Sequence, residues 1–233
     1  SEFITSLATG LDERWKVTAQ KDDDEREIED YKSYIDYELI EIEQYKTKKF
    51  KNPKLKRLAN TYINIQRNER EAVENQDFVD STFVSKWNQY QNKRFELLLD
   101  INSIVKIPIQ DKNILDSILK SGKAVKEFNR VYGILVDTFD PKNFVVEEVE
   151  TGSEKEKRYV GNFENTTGHY IDYIDVSIDF YDKNDKVYSG FRFDTRYAWE
   201  NGTKKSFEFS IPDSDTRFKY FKVNLGEKSF MFE

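Results

Sequence analysis

The side chains able to carry out chemistry are few, and their spacing limits them further. The 233-residue chain has no cysteine and a single histidine, His169. That removes a thiolate nucleophile, thiolate metal ligands, disulfides and most histidine-centred acid–base pairs. His169 follows Gly168 in an expected loop with no base or nucleophile beside it, so it reads as a surface residue. Carboxylates are plentiful, and three groups stand out. Asp22-Asp23-Asp24-Glu25 offers several oxygens to a hard cation, but no glycine-turned loop or later bidentate glutamate follows at calcium-loop spacing. Acidic residues just before a helix instead cap its free N–H groups and complement its dipole. Asp182-Lys183-Asn184-Asp185 has the composition of a hairpin turn. Glu147-Glu148 are adjacent in an expected strand and so point to opposite faces, which separates a general acid from its base. These residues read as a non-enzymatic protein, with no catalytic, metal or cofactor-binding residues and no cofactor.

Charge and hydropathy narrow the partners. Forty-four acidic and 37 basic residues give a formal charge of −7, which argues against nucleic acid as a partner. The signs are interspersed, as on a well-solvated surface. No run of eighteen apolar residues is present, so no spanning helix is expected. No signal peptide is visible, but Ser1-Glu2-Phe3 has the look of a cloning remnant, which leaves any leader open. The absence of cysteine fits the Gram-positive cell surface and, equally, a cytosolic scaffold.

The elements that position these residues fall into two groups. Gly10, Gly122 and Gly133 are the only glycines before Asp140, whereas six follow it, suggesting helices and then turn-rich β structure. Leu7, Leu11 and Trp15 predict a first amphipathic helix with Trp15 as its packing anchor. Ile28, Tyr31, Ile35, Leu39, Ile42 and Tyr45 predict the next. Asn52 and Pro53 read as the N-cap and first residue of a third helix, carrying Leu55, Leu58, Tyr62, Ile65, Ala72 and Gln76, with Glu69 the polar exception. A fourth, from about Asp80, carries Phe83 or Val84, Trp87, Tyr90, Arg94, Leu97, Leu98 and Ile101. Asp111 caps a last helix that Gly122 is expected to stop, and 123–139 is either a further helix or a lead into the β region.

Short connections favour an antiparallel helical bundle over 4–139. Asp140-Pro141 marks the boundary. Seven strands near 144–149, 157–163, 171–181, 186–195, 205–211, 217–225 and 228–232 then suggest an immunoglobulin-like β-sandwich over 140–233. The fold class expected is therefore α+β and multidomain. Ile174, Val176, Ile178 and Phe180 alternate with polar residues, as do Phe207, Phe209 and Ile211, so each set should face a core. Asn165-Thr166-Thr167 and Asn201-Gly202-Thr203 match the N-glycosylation pattern but read as turns. The aromatic residues Tyr31, Tyr37, Tyr45, Tyr62, Trp87 and Tyr90 read as core and core edge, with hydroxyls reaching water. Trp87 and Trp199 are the candidates for lining a binding pocket.

Two stretches carry a family resemblance. Val160-Gly161-Asn162-Phe163-Glu164-Asn165, Ile178-Asp179-Phe180-Tyr181-Asp182 and Asn201-Gly202-Thr203-Lys204-Lys205-Ser206-Phe207 resemble the strand–turn, signature strand and return of the FxLYD domain of bacterial extracytoplasmic proteins. Ile178 and Phe180 stand where phenylalanine and leucine are usual, and Asn184-Asp185 replaces a glycine-containing turn. Gly10-Leu11-Asp12-Glu13-Arg14-Trp15 is similar to the helical region that precedes such domains in lipoproteins of Gram-positive bacteria. The resemblance makes Arg14, Trp15, Gly161, Asn165, Ile178, Phe180, Tyr181, Asp182, Gly202 and Phe207 structural signature positions. It implies a non-enzymatic binding or interaction module on the extracellular face of the cell membrane, held only by a lipid anchor upstream. The partner implied is a protein or an envelope polymer. A small-ligand or substrate-binding surface lipoprotein, with a cleft between the helical and β domains, is the alternative.

Overall fold

The computed structural model describes residues 1–22, 25–74, 81–151 and 154–233. Asp23 and Asp24 of the acidic run, Gln76, the expected helix start at Asp80 and Gly152 lie outside the described residues. Among those described, the chain forms five α-helices and nine strands in three antiparallel sheets, an α+β organisation. Two compact units divide it, Ser1–Glu127 and Phe128–Glu233.

The first unit contains α1 (Glu2–Thr18), α2 (Ile28–Ile42), α3 (Pro53–Glu74), α4 (Ser81–Ile104) and the first part of α5 (Lys112–Thr138). α1 packs on α2, α2 on α3 and α3 on α4. Local sequence sets several of the helix ends. The Asn52 side chain accepts from the N–H groups of Lys54 and Leu55 at 2.9 and 3.1 Å, with Pro53 as the first helical residue. Asp111 caps α5 in the same way, accepting from Asn113 N–H at 2.8 Å. Leu7, Leu11, Ile35, Ile42, Tyr62, Ile63, Leu98 and Ile101 are fully enclosed. Each contributes roughly 1.5–3 kcal/mol of burial, which outweighs the weak helix propensity of the isoleucines. Phe3 belongs to this core, edge-on to Tyr45 at 5.6 Å, and α1 is helical from Glu2 onward.

Gly122 is not a helix stop. It lies inside α5, where an added Cβ would come within 2.5 Å of the Phe95 carbonyl oxygen, so the residue is glycine because backbone passes there. α5 ends at Thr138, and Asp140 just beyond it accepts from Lys142 N–H at 3.0 Å. The compact units part earlier, between Glu127 and Phe128, because the end of α5 places Val131 and Leu135 in the second core.

In the second unit, β1 (Val145–Thr151), β2 (Glu154–Glu164) and β7 (Lys204–Pro212) form one sheet in the order β1-β2-β7. β3 (Ile171–Ile174), β6 (Arg196–Trp199) and β9 (Phe230–Phe232) form another, ordered β6-β3-β9. β4 (Ser177–Tyr181), β5 (Val187–Arg192) and β8 (Tyr220–Asn224) form the third, ordered β5-β4-β8.

The expected strand 171–181 is thus two strands in two sheets. The break is held in place: Asp175 N–H donates to Ser229 O at 2.7 Å, its carboxylate pairs with Arg192, and Phe193 N–H donates to Val176 O at 3.0 Å. Alternation survives the break, and Ile174, Val176, Ile178 and Phe180 are all buried. Phe207, Phe209 and Ile211 are buried likewise. β6 was not expected from the period-two pattern. It is short, and Ala198 within it has φ of 56°, which disrupts the alternation on which such a reading depends.

Candidate functional site

The densest collection of ionisable groups is enclosed in the helical unit and centres on Glu38. Its position follows from the helix contacts. An added Cβ on Gly10 of α1 would fall 2.9 Å from the Glu38 Cα, so only glycine lets α1 lie this close to α2. Arg14, one turn further along α1, then reaches Glu38 with Nη1 2.8 Å from Oε1. From α4, Arg94 places Nη2 2.5 Å from the same oxygen and Nε 3.3 Å from Oε2. From α3, the Tyr62 hydroxyl donates to Oε2, and Gln66 Nε2 approaches it at 3.3 Å. Glu38, Gln66, Glu69 and Arg94 are 0% exposed and Arg14 only 4%.

Burial is the largest influence on the Glu38 carboxyl and pushes it up, but Arg94 and Arg14 together outweigh it and hold the group below the usual carboxylate range. Glu38 is therefore a charged hub between two guanidinium groups. Glu69 behaves oppositely. Burial pushes its carboxyl up to about 7, more strongly than Arg14 and Arg94 pull it down. Gln91 links the two halves, donating to Glu69 Oε1 at 2.5 Å and accepting from Arg14 Nη2 at 3.2 Å. Glu69 Oε2, Gln66 Oε1 and Arg94 Nη1 have no hydrogen-bond partner among the described residues. Burial also lifts the Tyr62 phenol well above its ordinary range, with Glu38 adding to the shift. Tyr62 thus departs from the expectation that the aromatic hydroxyls reach water. Its hydroxyl is instead tied to Glu38.

A carboxylate between two arginines could bind or polarise a substrate if one could reach it. With these side chains 0–4% exposed, what the arrangement does is join four helices by charge-assisted hydrogen bonds. In the sequence Arg14 stands out only as a signature position, while Arg94 falls within an apolar stripe and Glu69 is the polar exception of another. The available signal was charged residues at inward positions of several helices: Arg14 after Leu11, Glu38 between Ile35 and Ile42, Glu69 after Tyr62, and Arg94 before Leu97.

The other singled-out residues are dispersed. Trp15 is half-buried against the helical core. Trp87, also half-buried, meets Tyr31 edge-on at 4.7 Å and has the Arg14 guanidinium 5.9 Å from its ring centre. Trp199 is 0% exposed and donates its indole N–H to Thr203 O at 2.9 Å, leaving no open ring face for a ligand.

Asn165, 1% exposed, ties loops of the β unit together. Its Nδ2 donates to Trp199 O at 2.7 Å and His169 O at 2.9 Å, while Oδ1 accepts from Thr167 N–H at 3.0 Å. Asn201 Oδ1 accepts from Gly168 N–H at 2.8 Å. Gly202 has φ of 79°, the left-handed region that a side chain would strain. The Phe163 ring lies across Gly161, where a Cβ would come within 2.2 Å of it. Ile178, Phe180 and Phe207 are core, and Tyr181 stacks on Tyr220 at 4.8 Å. Asp182 accepts from Asn184 and Lys186 N–H groups at 2.8 and 3.0 Å, and Asp185 adopts φ of 60°. His169 Nδ1 is 2.6 Å from the Glu233 carbonyl oxygen. Glu147 and Glu148 are exposed on β1, opposite Arg158 and Lys157. Among the described residues no three histidine or carboxylate side chains converge as a metal site, and no helix is long and apolar enough to cross a membrane.

No protein-family model, no curated protein and no solved structure matches the chain.

Proposed function

We propose that the chain is a non-enzymatic interaction module of a cell-surface lipoprotein, in which an antiparallel helical bundle and an FxLYD-type, immunoglobulin-like sandwich present binding faces to a protein or envelope polymer. The observation that carries this reading is the inward turn of Arg14 onto Glu38. The most strongly perturbed ionisable groups are consumed in joining helices, which leaves recognition to exposed surface. The signature positions of the β unit support it in the same way, since Gly161, Asn165, Gly202 and Phe207 each have a packing or turn role. The reading is tested by capture from intact cell envelope with the immobilised chain, using the same chain immobilised after heat denaturation as the control. A partner retained only by the folded chain is expected. Recovery of the same set by both, together with cytosolic fractionation of the native protein, overturns it.

A further inference from the structure

One segment runs against the charge of the whole molecule. Between Glu43 and Glu69 there is no acidic residue, and Lys46 to Arg57 contains six lysines and one arginine, in a chain whose net charge is −7. The segment is the turn from α2 into α3 together with the first turn of α3. It surrounds a cavity of about 560 Å³ whose apolar lining is Phe3, Tyr45, Phe50, Leu55 and Val105. Lys48, Lys49 and Lys51 also line it, and among the described residues Glu2 is the one carboxylate that does.

The lysines divide by role. Lys56 Nζ is occupied by the Tyr45 and Lys46 carbonyl oxygens, both at 2.8 Å, and secures the end of the preceding turn. Lys48 is held by Gln44 at 2.7 Å and lies over the Tyr45 ring. Lys49, Lys51 and Lys54 are exposed, and among the described residues none of them forms an ion pair. The positive end of α3, capped by Asn52, adds to the same field.

We propose that this face docks on an anionic lipid bilayer, with the exposed lysines at the level of the phosphate groups and the aromatic cavity accepting the apolar part of a lipid. Charge complementarity selects the anion, and the apolar floor among the lysines selects an amphiphile over a wholly polar polyanion. The inference rests on this segment together with Phe3 and Val105, which complete the cavity, and holds whether or not a lipid anchor lies upstream.

The test is co-sedimentation of the whole chain with vesicles of phosphatidylcholine, with and without one third phosphatidylglycerol, at about 0.1 M salt and above. Retention by the anionic vesicles alone, falling as salt rises, is expected. The triple variant Lys49→Gln, Lys51→Gln, Lys54→Gln should bind on the order of 100-fold more weakly, at roughly fivefold per lysine, with its melting temperature unchanged. Equal retention by neutral vesicles, no retention by anionic ones, or undiminished binding of the triple variant overturns the proposal. Binding to soluble polyphosphate without binding to vesicles overturns it as well.

Discussion

Arg14 and Glu38, twenty-four residues apart, meet at 2.8 Å with both side chains buried, and Gly10, one turn before Arg14, is what lets their helices touch. Such a pair is strongly destabilising to break from one side, because the remaining charge has lost its water and its partner. Glu38→Gln leaves Arg14 and Arg94 facing a neutral amide and should cost about 3–5 kcal/mol, read from urea unfolding followed by the helical circular dichroism signal. A loss below about 1 kcal/mol would mean that the cluster is effectively hydrated.

Gly10→Ala separates propensity from packing. Alanine is favoured over glycine inside a helix by about 1 kcal/mol, yet the added Cβ meets the Glu38 backbone at 2.9 Å. The backbone has no rotamer by which to yield, so a net destabilisation of about 1–3 kcal/mol is expected in thermal or urea melts. A stabilised variant would refute the close approach.

The two buried carboxyls set opposite pH dependences. Glu69 titrates near 7 when folded against an ordinary value of 4.5, so the folded state holds the extra proton between these values. Stability from Glu69 is therefore greatest below about 4.5, falls as pH rises to about 7, and stays low above it. Glu38 is depressed, so its contribution is present above its unfolded value and lost as pH falls through the folded one. Urea midpoints across pH should fall from mildly acid to neutral conditions, and Glu69→Gln should flatten that fall, by about 3 kcal/mol at most. An unchanged slope in the variant would place the titration elsewhere.

In the β unit, Asn165→Ala removes both donors from the Trp199 and His169 carbonyl oxygens and the acceptor of Thr167 N–H. Leaving buried groups unpaired should cost about 2–4 kcal/mol. Amide exchange should report it as lost protection around Thr167 and Thr203, whose carbonyl accepts from Asn165 N–H. Unchanged protection there would show that the turn is held by Gly202 and the strands alone.

How much of this was legible in the sequence depends on whether the signal is local. The Asn52-Pro53 and Asp111 helix starts were, because a cap acts within three residues. The inward face of Ile174, Val176, Ile178 and Phe180 was also legible, since a period of two survives a break in pairing. The break itself was not: it is made by Ser229 and Arg192, distant in sequence from Asp175. Gly122 misled for a related reason. A glycine that stops a helix and one that admits another backbone look alike until the Phe95 carbonyl is known to pass nearby. The division of the chain between Glu127 and Phe128 is set by which core Val131 and Leu135 join, and periodicity does not distinguish two cores. The Glu38 cluster shares this property. Its members sit at inward positions of four helices, and only their convergence makes a buried charge tolerable.

The central claim, an interaction module displayed on the cell surface, is tested most directly by treating intact cells that express the full native gene with an external protease. The account predicts that the protein fractionates with the membrane and is cut while a cytosolic marker is spared. Recovery of uncut protein in the cytosolic fraction, with surface markers digested, would contradict it.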